Sequence, residues 1–187
     1  MSIIFNDDLK KEYRGLYDSC VINPSKKVIA DNVVNKLLNN RARYEAAGAV
    51  LNIPWQFVGV IHDMESSMNF GCHLHNGDSL KGRTIHLPAG RPLEGTPPFT
   101  WEESAADALR LRKIDQWKDW TLEGMLYQVE GYNGWGYRLH HQAVLSPYLW
   151  SFSNHYTMGK YIADGSWSDT AVSNQCGAAV LIKSLDL

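Results

Sequence analysis

Cysteine is scarce and unpaired in pattern. Cys20, Cys72 and Cys176 are odd in number, widely spaced, and form no Cys-x-x-Cys pair. That argues against a disulfide scaffold and for reduced, mostly buried thiols. An excess of charge of one sign is also missing. Eighteen Lys and Arg stand against twenty Asp and Glu, for a formal net charge of −2 and a pI near 6.4. With no basic stripe, nucleic acid is not an expected partner. No apolar run is long enough to span a bilayer, so no membrane association is expected. The opening MSIIFNDDLKKEYRGLY has neither the basic stretch nor the apolar stretch of a secretory leader. Synthesis in the cytoplasm without a signal peptide is the expectation. There is no internal repeat, low-complexity segment or linker.

The 187 residues that remain are an ordinary globular mixture, 44% hydrophobic and 20% charged. One domain is expected, with residues 1–52 as a helical scaffold and 53–187 as the core that carries chemistry. Seven Trp and nine Tyr are many for this length. Clustered aromatics suit sugar faces and protein cores equally.

Most of the chain reads as helix. Residues 6–20 place Leu9, Tyr13, Leu16 and Tyr17 at helical spacing. Asn23-Pro24-Ser25 is a break and a restart, and 26–51 reads as one long or two abutting helices. Pro54 opens a new helix, PWQFVGVIHDMESS, which is apolar nearly all round and therefore central. The segment 71–100 is rich in Gly and Pro and lacks a helical period. Alternation at Arg83–Leu87 suggests a small β-hairpin in a long loop, and loops of this length in compact domains are usually functional. Thr100-Trp101-Glu102-Glu103 is a capping box for a helix to about Lys113. Further helices are expected from Thr121 through Tyr132, from Ser146-Pro147, and from Ser168 to the C-terminal end. Asp164-Gly165 reads as a turn. The expected class is mainly α (α+β), with a β-hairpin loop after the central helix.

The candidate chemistry starts at Glu65. A carboxyl acts as a general acid near neutral pH only where its surroundings disfavour ionisation. Glu65 ends the most apolar helix, where burial and the helix dipole act in the same direction, and the irregular loop follows at once. These are the requirements for protonating a glycosidic oxygen. A structural Glu at a helix end has the same sequence position. An inverting glycosidase also needs a second carboxylate about 6.5–9.5 Å away to activate water. Asp78 suits that role, and the Thr84 hydroxyl suits placing the water. Asp78 also fits an ordinary Asn76-Gly77-Asp78 turn, and Thr84 an ordinary strand.

A second cluster is GYNGWGYR. Tyr132, Trp135 and Tyr137 sit among glycines that let backbone bend around a ligand. Their faces would pack on pyranose rings, with Asn133 hydrogen-bonding sugar substituents; a tight turn with core aromatics is the plainer alternative. Arg138 could meet lactyl or peptide carboxylates, or be a solvated surface group. His75 joins the substrate-binding set from the loop.

VIHDMESSMNF resembles the Glu-Ser signature of soluble lytic transglycosylases and goose-type lysozymes. GYNGWGYR resembles the Tyr-Asn turn that those families place opposite the catalytic Glu. The order Glu, Asp, Thr through a helix and hairpin is similar to phage lysozymes and endolysins. This resemblance to the lysozyme-like superfamily covers about a third of the chain. It implies Glu65 as acid, Ser66 as a cleft residue, Tyr132 and Asn133 as the facing wall, and Asp78 with Thr84 as the water-handling pair. The Gly-Leu-Met-Gln-like stretch usual after Glu-Ser in transglycosylases is missing, which favours a hydrolase.

The resulting expectation is an endolysin-like muramidase. It cleaves the β-1,4 bond between N-acetylmuramic acid and N-acetylglucosamine in the glycan strands of bacterial peptidoglycan. It would act as a monomer, need no cofactor, and reach the wall after holin-type release. Alternatives are a lytic transglycosylase giving 1,6-anhydro products, a chitinase, and a non-catalytic wall-binding module. A zinc amidase or peptidase is a further alternative, since Cys72, His73, His75, Asp78 and His86 fall in one loop.

Overall fold

The computed structural model describes residues 3–163 and 165–185. Among them are nine α-helices and one two-stranded antiparallel sheet, so the protein is mainly helical. No described helix is long and apolar enough to cross a membrane. The chain divides into two compact units: residues up to Asn35 with those from Thr121 onward, and Lys36–Trp120 between them.

In the middle unit, α3 (Arg41–Ala49) packs on α4 (Trp55–Ser66) and on α5 (Trp101–Leu111). Pro54 stands just before α4, where its missing N–H costs nothing. Phe57, Val58, Val60 and Ile61 are fully buried along α4. Each contributes about 1.5–3 kcal/mol by leaving water. The capping box forms as predicted: Thr100 Oγ1 accepts from the Glu103 N–H, and Glu103 accepts from the Thr100 N–H.

The other unit holds α1 (Asp7–Asp18), the start of α2 (Lys27–Asn39), α6 (Leu122–Tyr132), α7 (Gly136–His140), α8 (Pro147–Trp150) and α9 (Ala178–Ser184). Strands β1 (Lys160–Ala163) and β2 (Ser166–Ser168) pair antiparallel. Helix α1 packs on α6, while α8 and α9 pack on each other and on α6. Asn6 caps α1 and Thr121 caps α6 through their side-chain oxygens.

Two expectations are corrected. The hairpin expected at Arg83–Leu87 is an irregular loop, and the sheet lies instead at 160–168. Ile85 and Leu87 are 79% and 88% exposed, so the alternation there has no buried face to pack. The last helix starts at Ala178 rather than after Ser168, whose hydroxyl accepts from the Ala171 N–H in a local turn. Of the expected Asp164-Gly165 turn, Asp164 lies outside the described residues. Gly165 has a φ of +70°. All three cysteines are free thiols, Cys20 and Cys176 buried and Cys72 partly so.

Candidate functional site

Glu65 occupies the last turn of α4. Its side chain is open to water. Even so, the protein around the carboxyl raises its pKa above the ordinary carboxylate value, against the opposing charge of Arg112. The dipole at this C-terminal helix end adds to the bias against a negative charge. Ser66 follows, its hydroxyl only weakly bonded to the His62 carbonyl at 3.4 Å.

The backbone then leaves α4 through two consecutive left-handed residues, Ser67 (φ 51°) and Met68 (φ 60°). Their N–H groups reach back to the Asp63 and His62 carbonyls at 2.9 and 3.2 Å. Such conformations cost non-glycine residues about 1–3 kcal/mol each and collect at functional sites. What holds them is an aromatic cluster: His62, Tyr44, Phe70 and Trp101 pack edge-to-face and tilted, with centroids 4.3–5.8 Å apart. His62 is fully buried, and burial pushes its pKa down to about 4. The neutral ring shares a hydrogen bond with Tyr44 Oη at 3.2 Å through Nδ1. The turn after Glu65 is thus fixed by packing on Phe70.

The loop beyond is closed by its own polar groups. Asp78 Oδ2 accepts from the N–H groups of Ile85 (2.8 Å) and His86 (3.0 Å) and from Asn76 Nδ2 (3.1 Å). Its Oδ1 pairs with His86 Nδ1 at 2.6 Å. The His86 side-chain bond is the largest cause of an Asp78 pKa far below the usual carboxylate range. Thr84 is buried: its hydroxyl donates to the Pro88 carbonyl at 2.5 Å and accepts from the Arg91 N–H at 2.9 Å.

His75 has a fully buried side chain and bonds Asp107 Oδ2 through Nε2 at 2.7 Å. A carboxylate only accepts, so Nε2 carries the proton. Burial lowers the His75 pKa, against the raising effect of Asp107. Asp107 is also held by Arg91 in a bidentate pair of 2.7 and 2.8 Å. His73 Nε2 must likewise donate to the Gly82 carbonyl (2.8 Å), leaving Nδ1 to accept from Ser104 Oγ (2.8 Å). His75 is thus tied to α5, and His73 to both α5 and the loop. Among the described residues no group of three His, Cys, Asp or Glu side chains is arranged to hold a metal ion. A groove of about 450 Å³ along α3 and α5 contains none of the predicted site residues.

The aromatic turn belongs to the other unit. Tyr132 and Tyr137 are buried. Trp135 packs against Tyr127 with centroids 4.9 Å apart, and a Cβ on Gly131 would come within 2.8 Å of the Trp135 ring. A larger residue there would push that ring aside. Asn133 donates to the Val129 carbonyl at 3.0 Å, the end of α6. Asn133, Tyr137, Tyr148 and Tyr161 line a pocket of about 210 Å³. Tyr137 meets Tyr148 and Tyr161 edge-on at 5.9 and 5.4 Å. Tyr148 and Tyr161 went unnoticed in the sequence because nothing local ties them to residues 131–138.

Asp63, on α4, was also missed. It is buried, and its pKa rises to about 6. Residues two apart on a helix lie on nearly opposite faces, so Asp63 does not share the face of Glu65. Asp78, Thr84 and His75 are brought together in one loop of the unit that carries Glu65, whereas the residues from Tyr132 to Tyr137 lie in the other. Compared with known proteins, the chain matches no family model, no curated protein and no solved structure.

Proposed function

We propose that the protein is a glycosidase of bacterial peptidoglycan, cleaving the β-1,4 bond between N-acetylmuramic acid and N-acetylglucosamine with Glu65 as general acid. The observation that carries this reading is Glu65 itself. It is a solvent-reachable carboxyl with a raised pKa, at the end of an apolar helix and before a strained, clamped turn. A raised pKa shifts a carboxyl toward the protonated form that a general acid needs. The small aromatic pocket lined by Tyr137, Tyr148 and Tyr161 supports a sugar ligand.

A second reading within the same chemistry has its own support. Asp78 has three donors on one oxygen and one on the other, which leaves it a weak base. Thr84 is turned into the loop. With both so engaged, attack by the substrate's own 6-hydroxyl needs only Glu65, first as acid and then as base. That path is lytic transglycosylation.

The test is Glu65→Gln assayed on purified cell walls, with mass spectrometry of the fragments. A loss of at least about a hundredfold is expected, the usual size of a general-acid contribution. A folded Glu65→Gln protein with wild-type lysis would overturn the proposal. Reducing N-acetylmuramic ends would assign hydrolysis, and 1,6-anhydro ends transglycosylation.

A further inference from the structure

The unit that carries the aromatic turn holds a second, polar cavity of about 420 Å³. Its key group is Glu130, whose side chain is only 4% exposed. Both bonds to this carboxylate fall on one oxygen: Tyr13 Oη donates to Oε2 at 2.6 Å, and Arg138 Nε donates to it at 2.8 Å. Among the described residues Oε1 accepts nothing. Arg138 donates from Nη1 to Glu12 at 2.9 Å. Two carboxylates therefore share one guanidinium, and burial raises the Glu130 pKa against the opposing charge of Arg138. The Ser146 hydroxyl, also buried, has no partner. Val144, Leu145 and Trp150 supply an apolar part of the wall, beside Gln142 and Tyr137.

Oε1 is left for a ligand to donate to, and a carboxylate pairs best with a cation that carries N–H bonds. The charge balance rejects a free anion, and the apolar wall favours a carbon chain behind the cation. We propose that this cavity binds a primary ammonium group on a short aliphatic chain, with Glu130 Oε1 as its acceptor. Tyr137 lines both this cavity and the small aromatic pocket, so the two share a wall. On the reading that the protein acts on peptidoglycan, the ligand is the side-chain amine of the diamino acid in the wall's stem peptides. The protein would then favour strands whose amines are free over strands in which cross-links consume them.

The test is a titration of the isotope-labelled full chain, followed by NMR. One probe is Nα-acetyl-lysine methylamide; the other is the same compound acetylated at Nε. The free amine should shift the backbone amides of Arg138, Gln142 and Ser146 with a dissociation constant of about 1 mM. The acetylated compound should not. Leu145→Trp, which fills the cavity and leaves the ion pairs in place, should abolish the response. Glu130→Gln should weaken binding by at least about tenfold, equivalent to 1.4 kcal/mol. Three results would overturn the proposal: no saturable shift, equal response to both probes, or an undiminished response in folded Leu145→Trp. This readout is independent of wall lysis, so a failure here and a failure of Glu65→Gln to lose activity are told apart.

Discussion

Replacing Asp63 with Asn should stabilise the protein at neutral pH and do nothing in acid. Asp63 is 7% exposed, and burial raises its pKa from 3.8 to about 6, opposed only in part by the Lys36 charge. Two units at 1.36 kcal/mol each amount to about 3 kcal/mol. The sign follows from proton binding. Between the two pKa values the folded chain holds a proton that the unfolded chain has released, so stability falls as pH rises through that window. The protonated acid is present in full below the unfolded value, and its contribution is lost above about pH 6. Asn copies the protonated shape and cannot ionise. The stability difference between variant and wild type should therefore start near zero at low pH and reach about 3 kcal/mol at pH 7. For a chain of this size, that is about 6–12 °C in the melting midpoint. Parallel melts of the two proteins across a pH series measure the difference directly, because every other titrating group cancels. A midpoint difference that stays flat across the series would refute the reasoning, since it would mean that Asp63 titrates alike folded and unfolded.

Asp107→Ala should destabilise the protein by about 3–5 kcal/mol in chemical denaturation, because it strands the largely buried Arg91 beside a buried His75. Gly177→Ala should fail to give folded protein, as judged by circular dichroism. The added Cβ would lie 2.3 Å from the Leu149 carbonyl oxygen, where α9 starts against α8. The pH profile of wall lysis should show an alkaline limb above the ordinary carboxylate pKa, because the protein around Glu65 raises its pKa, and Glu65→Gln should remove the activity on which the limb is seen.

The helices were legible wherever their signals were local. The Thr100 capping box, the Pro54 start and the all-round apolar pattern of α4 each depend on residues within a turn or two of one another. The sheet at 160–168 is a local hairpin, but its Tyr161 and Trp167 pack on Tyr137 and His141 some 25 residues away, and the short α9 also depends on distant partners. Residues 171–177 stay out of helix, and the Gly177 N–H bonds the Ser151 carbonyl, an arrangement set by the end of α8 some 25 residues earlier in the chain. The alternation at Arg83–Leu87 misled for a related reason. A period of two predicts a strand only where one face has something to cover, and here Ile85 and Leu87 face solvent while side chains do the closing.

The candidate site divides along the same line. Glu65 was legible because its position, a helix end after an apolar run, is also the cause of its raised pKa. Asp78 and Thr84 were read from residue type and place in the loop, and neither says which donors fill their oxygens. Yet most of those donors were in plain sight: Asn76 and His86 lie within ten residues of Asp78, and a carboxylate in an Asn-Gly-Asp turn is first of all an acceptor for its own loop. A second carboxylate can serve as a base only if the loop leaves it a free lone pair and ordinary basicity, and Asp78 has little of either. If wall fragments nevertheless end in reducing sugars, the water must be activated elsewhere. Glu65 would then remain the residue from which to search, because the turn after it is the one strained segment of that unit clamped by a buried aromatic cluster.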